Sequence, residues 1–104
     1  MRVQVLADKQ VTLNDEGFLV NPEEWTPDIA EALAQEEGIT LTPRHWEVIR
    51  FVRAYYEEHG KSPTLRQITT GAGIPTKELF QLFPKGPAKK VARIAGVPKP
   101  EGCV

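Results

Sequence analysis

The chain has little that could staple or anchor it. Its 104 residues include one cysteine, one methionine and two histidines. A lone cysteine excludes an internal disulfide, so nothing calls for an oxidising compartment. No apolar run nears the roughly 20 residues that span a bilayer, and the opening "MRVQVLADKQ" has no hydrophobic segment of the signal-peptide kind. These absences lead us to expect a cytosolic protein without membrane contact. His45 and His59 lie 14 residues apart in one predicted helix, about 21 Å along its axis, so they cannot share a metal, and no metal or other cofactor is expected. His45 reads as a core or capping histidine and His59 as a helix-end residue. The sequence "GAG" has neither of the spacings of a phosphate-binding glycine loop. The acidic clusters "PEEW", "QEEG" and "YEEH" read as solvated helix surfaces or ends, so acid–base catalysis is not signalled.

What is present is an ordinary globular composition, 40% hydrophobic and 26% charged, enough for one domain with one modest core. The net charge of −1 conceals an asymmetry. Residues 1–60 carry 5 Lys/Arg against 12 Asp/Glu, a net of −7, whereas residues 61–104 carry 8 against 2, a net of +6. Either the halves attract each other in the fold, or the basic half faces an acidic protein or a nucleic acid.

The pattern predicts a mainly α fold of the α+β type: a small helical bundle with an N-terminal β-hairpin. Val3 and Val5 alternate with polar neighbours and share one strand face. Val11 and Leu13 mark a second strand after the turn "ADKQ", and Phe18–Val20 a third after "NDEG". Such a hairpin is marginal alone and must pack on helices. Three helix starts share one punctuation. Thr26–Pro27 and Thr42–Pro43 supply a cap and an N1 proline, Pro87 opens the last helix, and Gly38, Gly60 and Gly96 end these helices. The first carries an apolar stripe of Ile29, Ala30, Leu33 and Ala34. The second, longest helix puts Val48, Ile49, Phe51, Val52, Tyr55 and Tyr56 on one broad face. Trp46 lies opposite that face near Arg50, Arg53 and Glu57, either covered by the N-terminal strands with the arginines packed on its ring, or free to anchor a partner.

Thr64 and Gln67 form a capping-box pattern, "GAG" breaks that helix, and Thr76 caps "KELFQLF" with Leu79, Phe80, Leu82 and Phe83 apolar. Helix, glycine turn and helix resemble a helix-turn-helix. Its second helix offers Lys77 and Gln81 and little else to base edges, so a DNA-binding regulator is the alternative of a different class. The last helix, "AKKVARIA", turns Val91, Ile94 and Ala95 inward and Lys89, Lys90 and Arg93 outward. Residues 1–96 are expected to form the domain, with 1–20 the hairpin region and 26–96 the helices, and residues 97–104 a mobile arm.

The lone cysteine, Cys103, sits near the end of that arm. Six residue steps from Val97 carry it about 20 Å when extended. Pro98 and Pro100 stiffen the tether. Lys99 favours the thiolate, while Glu101 and the terminal carboxylate oppose it. A thiol so placed suits delivery of sulfur into another protein's pocket. Lys85, Lys89, Lys90, Arg93 and Lys99 are the candidate partner-docking residues, steering the arm toward an acidic mouth. A third class is an accessory subunit whose arm plugs a partner. Alone, the chain is expected to be a soluble monomer.

Three stretches, "LTPRHWEVIRFVRAYYEEHG", "SPTLRQ" and above all "LFPKGPAKKVARIAGVPKPEGCV", with the hairpin "LNDEGFLVNPEEW", resemble the DsrC/TusE family of small sulfur-relay proteins, which includes the gamma subunit of dissimilatory sulfite reductase. The resemblance covers nearly the whole chain and implies a helical bundle with an N-terminal hairpin and a mobile C-terminal arm. It makes Cys103, the penultimate residue, the carrier of a transient persulfide passed between donor and acceptor proteins, a sulfurtransferase-type carrier more than a stand-alone enzyme. Family members that work with sulfite reductase carry a second cysteine eleven positions earlier, where this chain has Ala92. The single-cysteine pattern is similar to the relay members that pass sulfur toward tRNA 2-thiouridine synthesis. The stretch "RQITTGAGIPTKELFQLF" lacks an insertion found in some members, so its length does not separate the two subclasses. The alternative implied by the resemblance is a gamma-subunit-like partner of a sulfite reductase complex.

Overall fold

The structure, a computed structural model, describes residues 1–100. Strands β1 (Arg2–Leu6) and β2 (Lys9–Leu13) form an antiparallel hairpin in which Leu6 pairs with Lys9 and Arg2 with Leu13. Its two-residue turn holds Ala7 at φ 51° and Asp8 at φ 64°, the double left-handed geometry whose twist matches a tight hairpin. Five helices follow: α1 (Pro27–Glu36), α2 (Pro43–His59), α3 (Leu65–Ala72), α4 (Thr76–Leu82) and α5 (Pro87–Ile94). A short 3-10 turn, Pro22–Glu24, precedes α1. None of the described helices is long and apolar enough to cross a membrane.

The expected helix starts are present because each solves the problem of orphan N–H groups. Thr26 Oγ1 accepts from the Ile29 N–H at 3.2 Å. Thr64 Oγ1 and the Gln67 side chain accept from each other's backbone N–H groups, completing the capping box. At α2 the box uses a histidine. His45 Nδ1 accepts from the Thr42 N–H at 3.0 Å, and Nε2 lies 2.9 Å from the Leu82 carbonyl, to which it donates. The ring is buried and stands edge-on to Phe83, so His45 is both cap and core. Helix α4 differs from expectation: Pro75 is its N-cap and Thr76 is already helical.

One core joins hairpin and helices. Leu6, Val11, Leu13, Phe18 and Leu19 from the N-terminal region meet Ile29 and Leu33 of α1, Val48, Ile49 and Val52 of α2, and Val91 and Ile94 of α5. The apolar face of α2 is narrower than its sequence suggests, since Phe51, Tyr55 and Tyr56 are only partly buried. Leu79 of α4 and Phe83, its C-cap, are buried while Phe80 is exposed. The hairpin bears out one expectation and corrects another. Val3 and Val5 do share a face, and it is the solvent face, with 65% and 60% exposure; Leu6, Val11 and Leu13 supply the inner one. Period-two alternation defines two faces without saying which is buried. Phe18–Val20 is not a third strand; Leu19 makes a single bridge to Leu13.

Candidate functional site at the root of the C-terminal arm

The arm that carries Cys103 leaves the domain from the end of α5, and the sequence builds a closure there. Gly96 adopts φ 73°. Its N–H donates to the Arg93 carbonyl at 3.1 Å, and the Val97 N–H to the Ala92 carbonyl at 3.0 Å. This pair of bonds is a Schellman closure, which needs a residue free to take the left-handed conformation. Two side chains reach the α5 terminus from far away in sequence. Trp25 Nε1 donates to the Ile94 carbonyl at 2.8 Å, and Arg53 Nη1 to the Ala95 carbonyl at 2.7 Å. The Arg53 guanidinium lies 4.2 Å from the centre of the Trp25 ring, so the cation stacks on the indole while both satisfy orphan helix carbonyls. Burial pushes the Arg53 pKa down. A Cβ at Gly96 would fall 2.4 Å from Trp25 Cδ1, so glycine is required here by backbone and by space alike.

The closure continues past the helix. Val97 is fully buried. Ser62 Oγ, itself buried in the loop between α2 and α3, donates to the Pro98 carbonyl. Lys99 Nζ pairs with Glu16 Oε1 at 3.0 Å, and Pro100 is buried. Residues 97–100, expected to lie in the arm, therefore run along the domain, with Val97 and Pro100 buried and the exposed Pro98 and Lys99 each tied by one polar contact. Cys103 and its expected motion fall outside the described residues.

The five candidate docking residues divide into two kinds. Lys85, at φ 61° between α4 and α5, and Lys89 on α5 are exposed. Lys90 pairs with Glu37 at 3.3 Å, and Lys99 with Glu16. Arg93 is turned inward, its side chain only 12% exposed, which reverses the outward placement expected for it. Its Nε donates to the Gly17 carbonyl at 2.9 Å, Nη1 to Glu37 at 2.8 Å and Nη2 to Glu36 at 2.7 Å. The Arg93 bond leads the causes that hold the Glu36 carboxyl below the usual range. Lys85, Lys89, Lys90 and Arg93 line a cleft of about 290 Å³ with Phe18, Glu16 and Glu37. Part of the charge asymmetry is thus spent within the fold: Arg93, Lys90 and Lys99 of the basic half hold Glu36, Glu37 and Glu16 of the acidic half. A pair of the opposite sense, Arg44 of α2 with Glu78 of α4, also joins the halves.

Sequence reasoning singled out Trp46 for arginine packing, yet the ring that carries an arginine is Trp25. Trp46 is partly buried against the core. Trp25 and Ile94 are 69 positions apart, and no local periodicity links them. Ser62 and Glu16 were missed for the same reason. The helix-turn-helix pair is present as α3, a turn and α4, with Lys77 and Gln81 exposed on the seven-residue α4.

The comparisons with known proteins agree with this geometry. The family model described as "DsrC like protein" matches residues 5–104, a span that includes Cys103. Sulfurtransferase TusE of Yersinia pseudotuberculosis is 46% identical over 96 residues, covering 86% of this chain and 89% of the relative. Sulfurtransferase TusE of Escherichia coli strain K12 is 39% identical over 107 aligned positions, covering 96% and 98%. The NMR structure of Allochromatium vinosum DsrC superposes with a TM-score of 0.88 at 39% identity, covering 98% of this chain and 97% of that one. The oxidised gamma subunit of the dissimilatory sulfite reductase of Archaeoglobus fulgidus gives 0.86 at 37% identity, covering 99% and 100%. With the sequence motif, the five-helix fold and these matches in agreement, the chain belongs to the DsrC-like family.

Proposed function

We propose that this protein is a sulfur carrier that relays persulfide sulfur on Cys103 between partner proteins. The observation that carries the reading is the similarity to sulfurtransferases TusE, 46% and 39% identical over 86% and 96% of this chain, joined to a family match that extends through Cys103. The chemistry needs one nucleophile. The Cys103 thiolate attacks the outer sulfur of a donor persulfide, RS–SH. The new S–S bond forms as the old one breaks, leaving Cys103–S–SH and the donor thiolate RS⁻. The same step in reverse sense passes the sulfur to an acceptor thiolate. No oxidant or reductant is consumed, and no cofactor is called upon. An ordinary thiol with a pKa near 8.5 is only a few per cent ionised at pH 7, so a partner pocket that favours the thiolate would set the rate.

Likeness to gamma subunits of sulfite reductase supports a second reading, docking on a sulfite reductase-type complex. A single cysteine cannot hold a sulfur bridge or close a disulfide within one chain, so the relay reading accounts for this sequence better. It ends in tRNA thiolation or in another sulfur-accepting pathway, with Lys85 and Lys89 the cations best placed to meet an acidic partner. Labelled sulfane sulfur should bind wild-type protein and not Cys103→Ser, and charge reversal at Lys85 and Lys89 should weaken partner binding most at low salt. Equal labelling of Cys103→Ser, or specific DNA retention in a gel shift with no sulfur uptake, would replace the carrier reading with the regulator.

A further inference from the structure

We infer that Ser62 and Glu16 are positioning residues for this transfer. They seat residues 97–100 on the domain, so the tether that delivers the sulfur starts at Pro100 and not at Gly96. The inference rests on the carrier reading for its purpose but on described contacts for its geometry. Val97 is locked by the Schellman bond to Ala92 and by full burial. The Pro98 carbonyl is held by Ser62, the Lys99 ammonium by Glu16, and Pro100 is buried. Each residue of the stretch therefore makes a contact with the domain, and the two holding side chains come from segments far apart in sequence: the Asn14–Gly17 turn and the loop that follows α2.

The consequence is a short reach. Three residue steps separate Pro100 from Cys103, at most about 10 Å of chain, against about 20 Å from Val97. Halving a tether's radius raises the effective concentration of its tip roughly eightfold within the smaller volume and excludes sites beyond it. A partner must then bring its own sulfur close to Pro100. The turn that carries Glu16 and the loop that carries Ser62 become parts of the surface it covers. Charge on Glu16 and the hydroxyl of Ser62 act on the transfer only through the position of the tether.

The test uses the full chain. Backbone ¹⁵N relaxation should give the Lys99 amide a helix-like order parameter of about 0.85 in the wild type, falling below about 0.6 in Ser62→Ala/Glu16→Gln. Glu16→Lys alone should lower it, and the exchanged pair Glu16→Lys/Lys99→Glu should restore it, which a general loosening of the domain would not do. A nitroxide on Cys103, the only thiol, should broaden amides of residues 14–17 and 60–62 most strongly in the wild type and broaden the domain more evenly in the double variant. A low Lys99 order parameter in the wild type, or no change in the double variant, overturns the inference. Absence of sulfur on Cys103 would overturn the carrier reading instead and leave the relaxation result standing.

Discussion

Arg93 offers the sharpest test of how charge is used in this fold. Replacing it with alanine removes three hydrogen bonds: to Gly17, Glu37 and Glu36. The Glu36 side chain is 38% exposed and Glu37 24%, so water recovers part of each loss and each carboxylate bond is discounted to about 1 kcal/mol. The Gly17 carbonyl adds about 1 kcal/mol, for a total near 3 kcal/mol. In a domain of this size that lowers Tm by roughly 12–24 °C. Lys89→Ala, which removes an exposed cation, should change stability by about 0.5 kcal/mol or less. Urea unfolding at pH 7 measures both, and an unchanged slope would show that the compared states are the same. The gap between wild type and Arg93→Ala should narrow in acid. Glu36 has a lowered pKa in the folded state, so the unfolded chain binds more protons. The stabilisation is complete above the unfolded carboxylate pKa and is lost as pH falls through the folded one. A loss under about 1 kcal/mol for Arg93→Ala, or an equal loss for Lys89→Ala, would refute the view that Arg93 is a structural tie and return it to the docking surface.

Gly96→Ala should destabilise by more than about 3 kcal/mol, because it adds left-handed strain to a 2.4 Å approach to the Trp25 ring; near wild-type urea stability would mean that the ring moves freely. His45→Ala should cost about 2–4 kcal/mol by opening a core space and leaving the Leu82 carbonyl and Thr42 N–H without their partner, and calorimetry should show it as a lowered Tm with two-state behaviour retained. Glu78→Gln should flatten the acid limb of the stability profile. Arg44 holds the Glu78 carboxyl below its ordinary range, so its contribution is present above the unfolded pKa and fades as pH drops through the folded one; an unchanged acid limb would remove this pair from the account.

The helix framework was legible because its signals are local. Threonine caps, N1 prolines and a left-handed glycine act within one turn, so Thr26–Pro27, Thr42–Pro43, Pro87 and Gly96 could be read directly. Thr76 misled because Pro75, fixed in an extended conformation, could serve as the boundary one residue earlier. Strand periodicity located the hairpin but left the sidedness of Val3 and Val5 open. That choice is made by Val11 and Leu13 on the partner strand, through register. Arg93 looked outward because its own helix gives no reason to turn in. Glu36 ends α1 and Glu37 caps it, 57 and 56 positions away. The root of the arm was the least legible part, since Trp25, Arg53, Ser62 and Glu16 converge on it from four separate segments. Cys103 needed none of this, being conspicuous by its solitude and its place in the chain.

A sulfur carrier of this kind must hold sulfur on Cys103. Reduced protein incubated with a low-molecular-weight persulfide, alkylated and digested, should yield a C-terminal peptide heavier by one sulfur atom on Cys103. The added mass should disappear on reduction and be absent from Cys103→Ser. A C-terminal peptide that stays unmodified under conditions that load a known persulfide carrier would contradict the account.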